Sequence, residues 1–160
     1  MVKELDKVRK LVKDLRAMAP RSPREKLAGY VILARSVDKC RAGLLGINEE
    51  YNYQPCSLAA HFFKFTGITA EQLENFVATG ATDAEIAEWV KRQASRKTPM
   101  EIIRWNNTLR DMRISEMDDH AQEYLEEYID LHLPPNTPVY HWFDVYDIEE
   151  KRLCPEGRGT

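Results

Sequence analysis

Arg35, Asp38, Lys39 and Arg41 interrupt an otherwise apolar stretch of the chain. Arg35 and Asp38 are three apart, as are Asp38 and Arg41, so on a helix each pair can meet. A planar guanidinium held by a carboxylate is well suited to grip a phosphate or a carboxylate. Arg24, further up the same stretch, adds a cation. The plainer reading of the same residues is a partly buried ion-pair network that steadies helix packing. A second group is Trp105, Asn106 and Asn107 with Arg110 and Arg113. Consecutive asparagines inside a helix oppose local propensity by a few tenths of a kcal/mol each, so their amides are expected to hydrogen-bond a neighbouring loop, a helix end or a ligand. The expected binding site therefore joins Arg24, Arg35, Asp38 and Lys39 to Trp105, Asn106 and Arg110. Its expected occupant is a small anion or an acidic protein segment.

His141 and Asp144 share a helical face, and imidazole beside carboxylate can do general acid–base work. Two such groups on one turn fall short of a metal site. His61, His120 and His132 show no Glu-x-x-His or His-x-x-x-His spacing. No metal and no cofactor is expected. Tyr30, Tyr51, Tyr53, Trp89, Trp105 and Trp142 could stack bases beside arginines, but at helical spacing they read as core. Cys40 falls on an apolar stripe and reads as an inert core thiol. Cys56 stands beside Pro55 with no charged residue adjoining it in sequence. The chain contains no Gly-rich phosphate loop, nucleophile elbow or paired-cysteine motif.

The element that must position the first group runs from Ser22 to Arg41 and reads as one long helix. Ser22 serves as cap, Pro23 fits the first helical position, and Glu25 completes a capping box. Tyr30, Leu33, Val37, Cys40 and Leu44 form one apolar stripe. Leu27, Val31 and Ala34 form another that continues into Asp38 and Arg41. A helix apolar over two adjoining stripes is largely buried. Gly29 in its middle costs about 1 kcal/mol relative to alanine, a cost that close approach of another helix or of a ligand would offset.

Around this helix the sequence predicts others. Residues 3–18 carry Leu5, Val8, Val12 and Leu15 at helical spacing among lysines, and Pro20 stops them. Ser57 opens an aromatic helix ended by Gly67. Thr69-x-x-Gln72 and Thr82-x-x-Glu85 open the next two. Thr98-Pro99-Met100-Glu101 opens the helix carrying Trp105, and Ser115-x-x-Asp118 a further one broken by Pro134-Pro135. Residues 48–54 read as a loop with a short extended segment as the alternative, and 139–147 read as a helix, although Val139, Tyr140, Val145 and Tyr146 would also suit a strand. The expected fold is all-α, a single compact domain of six to eight helices. Residues 1–19 form a basic amphipathic helix docked on the domain, residues 20–152 the helical domain, and residues 153–160 a loose tail.

The chain has the size of one domain with a proper core. It lacks a run of about 18 apolar residues and a secretory signal, so no membrane role is expected. Three widely spaced cysteines, an odd number, point to a reducing cytoplasm. The net charge is −3, but residues 1–41 hold 12 Lys/Arg against 5 Asp/Glu, and Ile114 to Glu150 contain no Lys or Arg. Basic early helices beside acidic late ones would steady the fold. A nucleic-acid face is the sharper reading, and the overall acidity speaks against it. The sequence leaves the oligomeric state open.

Pro20-Arg21-Ser22-Pro23-Arg24-Glu25-Lys26-Leu27 together with Gly29-Tyr30-Val31-Ile32-Leu33 and Asp38-Lys39 form one distinctive block. Phe63-x-Phe65-Thr66-Gly67-Ile68, Trp105-Asn106, and Trp142-Phe143-Asp144 with Asp147 form others. On these residues the chain, from Pro20 to about Arg152, resembles an uncharacterised bacterial family catalogued as domain of unknown function 5069. Similar proteins often carry an acidic residue after the Leu that opens the aromatic helix, where this chain has Ala59 and Ala60 after Leu58. The resemblance implies a self-contained cytoplasmic domain and supplies no activity. The leading functional expectation is a non-enzymatic binding protein. The alternatives are a small enzyme using His141 and Asp144, and a weak RNA binder acting through the basic N-terminal helices.

Overall fold

Alternation of capping residues and short apolar stripes gives a chain of short helices. The computed structural model describes residues 2–152. Among these are eight α-helices: α1 (Leu5–Leu11), α2 (Leu33–Leu44), α3 (Ser57–Thr66), α4 (Ala70–Val77), α5 (Asp83–Gln93), α6 (Pro99–Arg110), α7 (Asp119–His132) and α8 (Trp142–Glu149). A 3-10 turn, Ile114–Glu116, precedes α7. The fold is all-α, and the β pairing among the described residues is limited to two isolated bridges, Leu27–Tyr30 and Arg113–His141. No helix among the described residues is long and apolar enough to cross a membrane. Residues 153–160, expected as a loose tail, lie outside the described residues, as does Cys154.

The capping grammar is realised at three helix starts. Thr69 and Gln72 form a reciprocal capping box on α4, and Thr82 and Glu85 do the same on α5. Thr98 and Glu101 exchange bonds of 3.0 and 3.2 Å at the start of α6. Each box satisfies two amides that the helix leaves without an internal partner. Gly67 closes α3 at φ +78°, the left-handed cap a side chain resists. At α7 the cap is Asp118, whose carboxylate accepts from the Ala121 N–H, so that helix opens later than the Ser115 reading placed it.

The chain divides into two compact units, Met1–Ile102 and Ile103–Thr160. In the first, α2 lies against α1, α3 and α4. Leu33 through Ala42 are all buried, which is how a helix with two apolar stripes behaves. Tyr30 meets Phe62 of α3 edge to face, with centroids 5.3 Å apart. In the second unit, the Ile114 N–H donates to the Tyr140 carbonyl and the Trp142 N–H to the Met112 carbonyl, at 2.8 and 3.0 Å. These bonds fasten the entry of α8 beside the exit of α6. The Tyr128 hydroxyl then ties α7 to Glu149 of α8.

Several expectations from sequence are corrected. The helix expected from Pro23 starts only at Leu33. Leu27 and Tyr30 instead exchange two backbone bonds of 3.0 and 2.9 Å across Ala28 and Gly29. Both central residues have positive φ, +55° and +86°, the mark of a type I′ hairpin turn. Gly29 is therefore a turn residue, not a mid-helix one. Ile32, fully buried at φ +75°, makes the last bend into α2, and its N–H donates to the Pro23 carbonyl at 2.8 Å. The N-terminal helix is shorter than 3–18, because Val12 leaves helical geometry at ψ 143°. Residues 48–54 are the loop that the sequence indicates, made of turns and bends with no strand pairing. The helix read over 139–147 is present from Trp142 onward as α8, with extended backbone only up to its cap, His141.

Candidate functional site

A helix buried on every side must find partners for the polar groups it carries inward. In α2 these are Arg35, Ser36, Asp38, Lys39 and Arg41, none more than 6% exposed. Asp38 takes the backbone N–H of Arg21 at 2.8 Å and the Arg21 guanidinium through Nε and Nη2. Arg21 reaches onward to Asp83 at 2.8 Å. Asp83 also receives Arg41 at 3.0 Å, while the other Arg41 nitrogen donates to the Ala81 carbonyl at 3.0 Å. Asp38, Arg21, Asp83 and Arg41 thus form one continuous ion-pair network linking the 21–32 loop, α2 and the start of α5. The sequence identified Asp38 and Arg41 but missed Arg21 and Asp83. The prolines flanking Arg21 were a signal that this residue leaves any helix. Asp83, in the first turn of α5, reads in sequence as a simple dipole partner.

Burial pushes the Asp83 carboxyl up, but the hydrogen bond and charge of Arg21, and then Arg41, hold it below the ordinary value. A carboxylate depressed in the folded state adds stability above its unfolded value of about 3.9 and loses it as pH falls through the folded value. Urea denaturation followed between pH 6 and 2 is therefore expected to show stability falling below about pH 4. Asp83→Asn should be less stable than the parent at pH 6 and should flatten that acid limb. An unchanged slope would remove Asp83 from the acid response.

The other two cations of α2 point elsewhere. Arg35 donates to the Arg21 carbonyl at 3.1 Å and its guanidinium carbon lies 5.7 Å from the Tyr51 ring centre. Lys39 places Nζ 3.0 Å from Sγ of Cys56, the residue that opens α3. Burial pushes the Cys56 thiol up. The charge of Lys39, the opening amides of α3 at Ala59 and Leu58, and the Lys39 hydrogen bond outweigh it, and the thiol lies below its ordinary value. Cys40, buried in α2, is pushed far up by desolvation. Sequence adjacency could not reveal the Cys56 pairing, because its cation arrives from 17 residues upstream.

Arg24 lies in the 21–32 loop, half-buried, with its N–H on the Ser22 hydroxyl at 3.1 Å. Trp105, Asn106 and Arg110 lie on the part of α6 that belongs to the second unit. Asn106 is 3% exposed, and Arg110 donates to Asn107 at 2.8 Å. His141 and Asp144 face each other at 3.6 Å across the first turn of α8. That separation exceeds a good hydrogen bond, and His141 stands at the cap position of the helix.

A shallow cleft between the ends of α3 and α5 gathers Lys64, Arg96 and Lys97 without a carboxylate. Both helices present their C-terminal carbonyls there, and cations at such ends complement the helix dipole. Lys97 also sits over the Phe65 ring at 4.2 Å. No group of three or more potential metal-ligating side chains occurs among the described residues. Comparison with curated proteins finds no match. A family model described as a domain of unknown function, DUF5069, matches residues 17–152, and the chain belongs to that family.

Proposed function

We propose that this is a non-enzymatic, cytoplasmic binding protein that receives a small anionic ligand at the cationic face of α2. Arg35 and Lys39 are the recognising groups. The observation that supports this reading is their burial: 3% and 6% exposed, one helical turn apart. Long cationic side chains ordinarily keep their heads in water. Here the Arg35 head is fixed by the Arg21 carbonyl and lies near the Tyr51 ring. A donor fixed in advance loses little freedom when a carboxylate or phosphate docks, and a fork of N–H groups can bind either in bidentate fashion. An acidic protein segment would present the same carboxylate chemistry. Arg24 is a peripheral contact in this reading, and Asp38 holds the network in place.

The test is thermal unfolding and calorimetry with phosphate, sulfate and di- and tricarboxylates, each matched to sodium chloride of equal ionic strength. A ligand at 100 times its dissociation constant should add about 2.7 kcal/mol of stability. Arg35→Lys keeps the charge but loses the fork, and should weaken binding by about tenfold or more. If no anion raises the melting temperature beyond its salt control, the reading is wrong.

A further inference from the structure

The fold brings together a sulfur, a buried ammonium and the opening of a ten-residue helix. Cys56 is partly exposed and occupies the cap position of α3, where backbone N–H groups carry partial positive charge. No acidic side chain stands in the first turn of α3 to cancel it. Lys39 comes from α2 with 6% of its surface exposed and donates to Sγ at 3.0 Å. At that burial, Lys39 has little room to turn its ammonium away from the sulfur. Each of these features favours RS⁻ over RSH, and thiolate is the reactive form. The other described cysteine provides the contrast: Cys40 is 1% exposed and lies within the core.

We propose that Cys56 is a nucleophilic thiol that undergoes exchange with low-molecular-weight disulfides, with Lys39 as its positioning residue. In the exchange the Cys56 thiolate attacks one sulfur of R–S–S–R. The new Sγ–S bond forms as the old S–S bond breaks, and the departing sulfur keeps the electron pair as RS⁻, then takes a proton from water. Cys56 is oxidised to a mixed disulfide and the other half of the reagent is reduced. Lys39 keeps its proton throughout and loses its anionic neighbour once the sulfur is capped. The assignment goes beyond anion binding but shares Lys39 with it; its test reads thiol chemistry without any added anion, so either reading can fail while the other stands.

The experiment uses the full chain carrying Cys154→Ser, so that Cys40 and Cys56 are the remaining thiols. Alkylation by iodoacetamide is followed from pH 5 to 10 by site-resolved mass spectrometry, and mixed-disulfide formation with oxidised glutathione is read in parallel. At pH 7 Cys56 should react at least about tenfold faster than Cys40, and its rate should reach half-maximum at least about one pH unit below the ordinary thiol value of about 8.5. Lys39→Met should move that midpoint up by about one unit and slow the reaction at pH 7 by about tenfold, while Lys39→Arg should preserve both. Oxidised glutathione should add one adduct, at Cys56. The proposal is overturned by a midpoint at or above 8.5, by no adduct at Cys56, or by a Lys39→Met profile that overlays the parent. Should Lys39→Met fail to fold, the parent midpoint and the Lys39→Arg profile decide.

Discussion

Asp38→Ala is expected to destabilise the first unit by about 3–5 kcal/mol, the cost of removing one partner from a buried ion pair. The carboxylate is 3% exposed and accepts from both the backbone and the guanidinium of Arg21. Its loss leaves the Arg21 backbone N–H and Nε without their acceptor and Nη2 with only its longer bond to Asp83, in a site where the Arg21 side chain is 18% exposed. For a chain of this size, about 2–4 °C of melting temperature accompanies each kcal/mol, so a fall of about 10 °C is expected. Hydrogen exchange adds a local readout. The amides of Arg21 and of Ile32, which donates to the Pro23 carbonyl, should lose protection before those of α4 or α5. Asp38→Asn, which keeps the shape and one acceptor, should cost less. A loss below 1 kcal/mol for Asp38→Ala would mean the pair behaves like an exposed surface bridge.

The same pair explains why the path into α2 was not legible in sequence. Leu27, Val31 and Ala34 do fall at helical spacing, and Ser22-Pro23-x-Glu25 does have the form of a helix start. A helix running unbroken from Pro23 to Asp38 would hold Arg21 about 25 Å from Asp38, at 1.5 Å per residue. The structure has the two in hydrogen bond at 2.8 Å. Long-range ion pairing therefore overrides the local pattern, and the chain folds back through the Ala28-Gly29 turn and the bend at Ile32. Where the cap chemistry is purely local, as at Thr69, Thr82 and Thr98, sequence and structure agree.

The site divides in the same way. The polar end of the second stripe, Asp38 and Arg41, was visible because two charges interrupt an apolar period. Their partners Arg21 and Asp83 were not, because 17 and 62 residues separate the members of the pairs that Arg21 makes. Cys56 was visible as a cysteine but not as a charged neighbour of Lys39, since that contact exists only once α2 and α3 are packed. Single-chain spacing reports what one element presents; it does not report what a second element brings to it.

Gly80→Ala should be the most damaging single-carbon substitution in the first unit, at about 3 kcal/mol. Gly80 sits at φ +83°, between the end of α4 and the cap of α5. A side chain in that conformation carries strain of about 1 kcal/mol or more. Sterics then add to it, because a Cβ at position 80 would lie 2.3 Å from Cβ of Lys7. That atom is fixed by the backbone of α1, so no rotamer change relieves the overlap. Helix α1 would have to move, although its Glu4 N–H is bonded to the Ala78 carbonyl at 2.7 Å. Overpacking of this kind costs about 1–3 kcal/mol. Gly29→Ala is the matched control: φ is +86° and no atom lies within 4 Å of the added carbon, so only the strain of about 1 kcal/mol is expected. The steric part can be isolated by repeating Gly80→Ala in a Lys7→Gly background, whose own cost is about 1 kcal/mol. With the Lys7 Cβ gone, the alanine at 80 should cost no more than the alanine at 29. Equal losses for Gly80→Ala with and without Lys7→Gly would show that strain alone sets the cost and that α1 is free to yield.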